Sequence, residues 1–200
     1  MTKIKLCGLR RTCEVAWAGE LRPDYVGFVL APGFRRTVSP AAAAEMKAAL
    51  APGIRAVGVF VDPPLNEAAA LLNDGVVDIA QLHGHEDDTY IERLRALSGK
   101  PVIKAFRLKS EADALAAQRS AADLVLLDSG TGTGQAFNWA FAQMVSRPYL
   151  LAGGLNSENV VEAVRELHPW GVDVSSGIET DGAKDRAKMA AFAAAVRAAM

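Results

Sequence analysis

The chain has 200 residues, of which 50% are hydrophobic and 22% charged, and its formal net charge is −1. That length can bury a large core, and the near-zero charge gives no bulk electrostatic attraction to nucleic acid or to an anionic membrane. Two cysteines without a second metal-ligand pair argue against a disulfide framework. No apolar run approaches the ~18 residues of a membrane span and no cleavable leader is visible, so a cytoplasmic location is expected.

The chain opens on Lys3-Ile4-Lys5-Leu6-Cys7-Gly8, a short alternating strand that ends on a thiol followed by glycine. Arg11 to Glu20 reads as a helix with Val15 and Trp17 apolar, Gly19 fraying its end and Cys13 packed within it. Asp24 to Leu30 is a strand stopped by Pro32-Gly33, and a basic loop through Arg35-Arg36 leads to Ser39-Pro40, an N-cap followed by a first-turn proline. Ile54 to Val61 is the next strand, then a helix through Leu71-Leu72, then a strand from Val76 to Leu82 closed by His83-Gly84. Asp87 to Leu97 is helical, with Ile91, Leu94 and Leu97 on one face. A strand from Pro101 to Phe106 precedes a helix opening near Ser110-Glu111, and Asp123 to Asp128 is a strand entering the loop Ser129 to Gly134. A helix from Trp139 to Val145, a strand Tyr149 to Ala152 stopped by Gly153-Gly154, and a helix capped by Asn156 follow. The chain finishes with a strand Gly171 to Ser175, Ser176-Gly177, and a helix with Met189, Phe192 and Val196 on one face.

About eight strand-then-helix units at a spacing of roughly 21 to 30 residues are the period of βα repeats. Strands this apolar suit a parallel sheet covered on both faces. The reading is an α/β fold, one (β/α)8 barrel domain over residues 1–200 with a short phosphate-binding helix after the eighth strand. An open doubly wound sheet is the alternative, but it normally carries a dinucleotide fingerprint after its first strand, and Cys7-Gly8-Leu9-Arg10 is not one.

In such barrels the active site lies at the C-terminal strand ends. The residues there are Cys7, Leu30 with its loop to Arg36, Asp62, His83, Arg107, Asp128, Gly153-Gly154 and Ser175-Ser176. A thiol, a histidine, two aspartates and arginines make an acid–base set. Gly153-Gly154 and Ser175-Ser176-Gly177 place small residues where backbone amides close on an anion, so a phosphate site is read there, with tight turns as the plain alternative. Ser129 to Gly134 is read as a flap over substrate or else a merely loose connection. His83-Gly84-His85 is a weak metal pattern, and no metal is expected. Arg35-Arg36 are solvated surface or a clamp for a carboxylate or phosphate.

Taken together, these stretches resemble the phosphoribosylanthranilate isomerase family. The resemblance runs through Lys5-Leu6-Cys7-Gly8-Leu9, Val26-Gly27-Phe28 with Arg36 and Ser39-Pro40, and Val57 to Val61. It continues in Gln81-Leu82-His83-Gly84, Leu126-Leu127-Asp128-Ser129 with Gly132-Thr133-Gly134, Leu151 to Leu155, Gly171 to Glu179, and Lys184-Asp185. Leu6 stands where the family usually has isoleucine. The resemblance implies a cofactor-free Amadori rearrangement of N-(5-phosphoribosyl)anthranilate to an open-chain 1-deoxyribulose 5-phosphate in tryptophan biosynthesis. It implies Asp128 as general acid and Cys7 as general base, with Gly8 leaving room for the sugar. Arg36 would hold the anthranilate carboxylate, with Arg35 in reserve. His83, Gly153, Gly154, Ser175, Ser176 and Gly177 would bind substrate. The only partner implied is that phosphorylated small molecule, and the chain is expected to be a monomer, with a homodimer as the alternative.

The chemistry sets physical demands. Asp128 must hold a proton near neutral pH against an ordinary value of ~3.9. Cys7 must be partly thiolate, so the mouth must be locally positive, and Lys5 shares its face of the first strand. The rivals are another phosphate-binding barrel isomerase and a non-catalytic phosphate-binding barrel. An epimerase of the metal type would need several histidine ligands, and the chain has three histidines in all.

Overall fold

The computed structural model describes residues 1–128 and 139–199. Eight strands close into a barrel in chain order, each parallel to both neighbours. They are β1 Lys3–Cys7, β2 Tyr25–Val29, β3 Arg55–Phe60, β4 Ile79–Leu82, β5 Val102–Arg107, β6 Leu124–Asp128, β7 Tyr149–Ala152 and β8 Gly171–Val174. The seven intervening helices are α1 Thr12–Leu21, α2 Pro40–Ala48, α3 Leu65–Asn73, α4 Asp88–Ser98, α5 Glu111–Arg119, α6 Trp139–Gln143 and α7 Val160–Leu167. After β8 come a single 3-10 turn, Ser176–Ile178, a two-stranded hairpin of β9 Glu179–Thr180 and β10 Ala183–Lys184, and α8 Arg186–Ala198.

Strand alternation divides the apolar residues into two cores. Ile4, Leu6, Val26, Phe28, Leu82, Leu127 and Val172 face outward and pack beneath the helices. Val57, Ile79, Ile103, Leu126 and Leu150 fill the barrel's interior. Tyr25 and Trp170 close the lower end, their rings 6.1 Å apart. Higher up, Ala105 and Ala152 take little volume, and polar Lys5, Gln81 and Asp173 replace aliphatic residues although all three are buried. The interior is therefore a dry plug below and a polar chamber above.

Caps define the helix starts. The Ser39 hydroxyl accepts from Ala42 N with Pro40 in the first turn, Asp87 caps α4, and Ser110 caps α5. Several boundaries differ from the sequence reading. Gly19 does not end α1, which runs to Leu21 because Arg22 adopts a left-handed cap and the Arg197 guanidinium binds the last carbonyls. Cys13 is exposed, not packed, since the buried face of α1 is Glu14, Val15 and Ala18. Leu97 is 51% exposed, because α4 turns its face away after Leu94. The fourth strand begins at Ile79 rather than Val76, since the Asp78 side chain accepts the Ala56 N–H at 2.8 Å. Asn156 holds the turn before α7, accepting from Glu158 N and Asn159 N, and the helix proper starts at Val160.

The last helix locks the barrel by burying Met189, Phe192 and Val196 against it. Phe192→Ala should destabilise the protein by about 3–5 kcal/mol in chemical denaturation, from lost transfer energy plus an unfilled cavity.

Candidate active site

The inward-facing residues near the C-terminal strand ends enclose a cavity of about 970 Å3. Alternation selects its wall: Cys7 from β1, Val29 from β2, Val59 from β3, Gln81 from β4, Asp128 from β6, Ala152 from β7 and Asp173 from β8. Arg36, His83, Gly153, Gly154, Ser175 and Ser176 complete it from the loops. Leu30 and Asp62 were read as strand-end site residues, but alternation turns Leu30 outward onto the main core and places Val29 on the cavity. Asp62 instead braces a loop, accepting the His85 backbone N–H and facing its ring at 3.0 Å.

Cys7 sits on the wall with 7% of its surface exposed. Directly below it on the same face, Lys5 is fully buried and donates to the Asp173 carboxylate at 2.7 Å. Lys5 and Asp173 are register partners across the β1–β8 seam, and Cys7 is opposite Gly27 on β2. A side chain at Gly27 would have its Cβ 2.6 Å from the Cys7 sulfur, so that glycine is what allows the thiol to lie inside. Burial disfavours the Lys5 ammonium, but the Asp173 carboxylate and the nearby thiol outweigh it and lift its pKa. Burial likewise pushes the Cys7 thiol above its ordinary value, with Asp173 adding to the rise and Lys5 and Lys184 opposing it. The mouth is thus positive beside the sulfur, as a thiolate requires, yet desolvation dominates and the thiol form prevails at neutral pH.

Across the cavity His83 Nε2 lies 3.5 Å from Asp128 Oδ2. Gln81 Nε2 meets His83 Nδ1 at 3.2 Å. With the amide donating to Nδ1, the imidazole proton sits on Nε2 and faces the Asp128 carboxylate. Asp128 and His83 therefore face each other on the wall opposite Cys7. Among the described residues the Gln81 carbonyl oxygen is buried without a hydrogen-bond partner, and Gln81 lines the cavity.

Arg36 reaches the cavity from the β2–α2 loop over Gly8. Gly8 has φ 77°, and a Cβ there would collide with Arg36 Cδ, so the space beside Gly8 belongs to the arginine stem rather than to a sugar. The Glu179 carboxylate accepts from Arg36 Nε at 2.6 Å and Nη2 at 2.9 Å. Arg35 Nη2 and Lys184 Nζ bind the same carboxylate at 2.6 and 2.8 Å. Burial works against the Glu179 anion, but these donors, led by Arg36, hold its pKa down at about 2. Arg35 is half-exposed, also donates to Gly182 O, and lines the cavity beside Arg36 while supporting the Glu179 carboxylate.

The loops after β7 and β8 meet at the far side. Gly153 and Gly154 have φ values of 93° and 67°, a backbone geometry that glycine adopts without strain, and Asn159 Nδ2 holds the Gly154 carbonyl at 3.0 Å. Lys184 Nζ donates to Ser175 O at 2.8 Å and bonds its hydroxyl at 3.3 Å, placing a buried cation behind the β8 loop. Gly177 is not on the cavity wall; a side chain there would strike the Leu155 carbonyl, so it serves to bring the two loops together. A second ion pair, Lys104 Nζ to Glu86 Oε2 at 2.8 Å, ties the β4 loop to β5. His83 and His85 face different aspartates, and the described residues hold no cluster of three or more metal-ligating side chains. The expected flap, Ser129 to Gly134, lies outside the described residues.

The sequence profile of the N-(5'phosphoribosyl)anthranilate (PRA) isomerase family matches residues 4–195. The chain belongs to that family. It is 41% identical over 194 residues to the N-(5'-phosphoribosyl)anthranilate isomerase of Endomicrobium trichonymphae, covering 94% of this chain and 95% of that protein. The crystal structure of the phosphoribosyl anthranilate isomerase of Thermus thermophilus superposes with a TM-score of 0.89 at 36% identity, covering 100% of both chains. Another family structure, in complex with reduced 1-(o-carboxyphenylamino)-1-deoxyribulose 5-phosphate, superposes with a TM-score of 0.86 at 30% identity over 99% of this chain and 100% of that one. Membership makes the chain an isomerase of tryptophan biosynthesis, an intramolecular oxidoreductase of the aldose–ketose type. Among the described residues no helix is long and apolar enough to cross a membrane.

Reading strand ends in the sequence missed Gln81, Asp173, Glu179 and Lys184. Gln81 and Asp173 lie mid-strand, and their signal was a polar residue at an inward position of an otherwise apolar strand. Glu179 and Lys184 stand beyond the eighth strand, and nothing local to them pointed to the cavity. Lys5→Met should move the Cys7 alkylation profile to higher pH, because it removes the cation that opposes the burial-driven rise. An unchanged iodoacetamide rate–pH profile would exclude a Lys5 contribution.

Proposed function

We propose that the barrel mouth carries out the Amadori rearrangement of N-(5-phosphoribosyl)anthranilate to 1-(2-carboxyphenylamino)-1-deoxyribulose 5-phosphate, with Asp128 as general acid and Cys7 as general base. The observation that supports it is the placement of the two groups on opposite walls of one cavity. A single base could not serve both sides of a ribose ring. Asp128, entering the reaction as the carboxylic acid, protonates the furanose ring oxygen as the C1′–O bond breaks to give the protonated Schiff base. The Cys7 thiolate then takes the C2′ proton, leaving a neutral enolamine that tautomerises to the ketone. Asp128 ends as carboxylate and Cys7 as thiol, and exchange with solvent resets both.

Arg36 binds the anthranilate carboxylate in this reading, on the side where its guanidinium enters the cavity. The phosphate rests on Gly153, Gly154, Ser175, Ser176 and the amides around Gly177, with Lys184 supplying positive charge from behind. His83 contacts the substrate beside Asp128. All these residues come from one mouth of one barrel domain, so the assigned set needs no second subunit, in a monomer or in a homodimer alike.

Following the loss of substrate fluorescence tests the assignment. Cys7→Ala and Asp128→Asn should each reduce kcat by about 10² to 10⁴-fold while leaving affinity for the reduced product largely intact. Retained turnover in either variant would remove that residue's role. Because burial raises the Cys7 pKa, the reactive thiolate grows as pH rises. The kcat/KM of the wild type should therefore increase from neutral into mildly alkaline solution, and a flat limb there would reject a thiolate base.

A further inference from the structure

A planar guanidinium offers two forked edges to carboxylates, one through Nε and Nη2 and one through Nη1 and Nη2. In this chain Glu179 takes the first edge of Arg36 with both oxygens. Among the described residues Nη1 has no protein acceptor, and Arg36 lines the cavity. The carboxylate that takes the first edge is itself immobile. Its side chain is 6% exposed, and its hairpin partner Lys184, opposite it in the register, bonds one oxygen while Arg35 bonds the other. Arg35 and Arg10 in turn both donate to Gly182 O in the hairpin turn. Arg36 is thus held at its stem by the contact with Gly8 and at its head by Glu179.

We propose that Glu179 is the positioning residue for substrate recognition: by occupying the Nε–Nη2 edge of Arg36 it aims the Nη1–Nη2 edge at the anthranilate carboxylate. The inference rests on Arg36 being the carboxylate-binding residue. Glu179 makes its contacts with Arg36, Arg35 and Lys184, so its direct effect is on the binding side of the site. Three cations around one carboxylate also leave the cluster positive, which suits an anionic ligand. Two functions compete for the same contact. If Glu179 aims the arginine, removing its charge weakens binding of a carboxylate ligand. If it competes with the ligand as an internal mimic, removing its charge strengthens that binding.

The test titrates two reduced product analogues, one with the 2-carboxyphenylamino group and one with plain phenylamino, against the wild type, Glu179→Gln and Arg36→Met. Glu179→Gln keeps the shape and should lose affinity for the carboxylated analogue by about tenfold, the loss of one charge-assisted contact, with the phenylamino analogue unchanged. In turnover KM should rise with kcat little altered, whereas a general loosening of the mouth would weaken both analogues together and lower kcat. Arg36→Met should abolish the preference for the carboxyl group. If it does and Glu179→Gln retains or enlarges the preference, the positioning role is overturned while the role of Arg36 stands. If Arg36→Met keeps the preference, the carboxylate assignment itself falls. Glu179→Asp, which keeps the charge but withdraws it by one methylene, decides the same question should the glutamine variant not fold: it too should lose carboxyl preference, and an unchanged preference counts against the proposal.

Discussion

A lysine without solvent exposure needs a carboxylate, and Lys5 finds one 168 residues away in Asp173, 2.7 Å off across the β1–β8 seam. This pair stands where the barrel closes on itself. Removing either partner would leave an unpaired charge inside, which typically costs about 3–5 kcal/mol. An aliphatic pair of the same volume would pack there at no such risk. The ion pair's effect is to make the upper interior polar directly beneath Cys7, so that the wall can hold charge where the lower plug cannot.

The same economy of charge extends outward. Lys184 reaches the Ser175 carbonyl and hydroxyl with one ammonium and the Glu179 carboxylate with the same group. Glu179 then reaches Arg36 and Arg35. A single continuous set of contacts therefore links the loop read as the phosphate site to the arginine read as the carboxylate site. In the proposed reading both anionic groups of the substrate, carboxylate and phosphate, meet parts that are already mutually ordered, so less conformational freedom is lost on binding. Between those ends lie the thiol and the Asp128–His83 pair, on opposite walls.

Much of this was legible in the chain itself. Eight apolar strands each followed by a helix, caps at Ser39, Asp87 and Ser110, and small residues after the last two strands carried the architecture and the loops on the cavity. Cys7, His83, Asp128, Ser175 and Ser176 could be placed on the cavity because they end strands or immediately follow them. Where reading failed, the cause was non-local. Cys13 looked packed and is exposed because helix phase, not composition, chooses the buried face. Asp62 looked catalytic and braces His85 instead. Gly8 looked like room for a ligand and holds the stem of Arg36.

The sequence by itself determined the order of elements, because hydrophobic period and capping chemistry are local properties. It also determined to within a residue or two where each strand stops, since βα boundaries carry glycine, proline and polar residues. Only the closed barrel decided what those residues do. Closure brings β1 beside β8, so the partners of Lys5 and Arg36 come from the far end of the chain, and no local pattern pairs them. It also decides the protonation state of Cys7, through a balance of burial against cations set by distances that exist only after folding. The thiol that opens the chain is a reactive candidate by position, and its reactivity belongs to the fold.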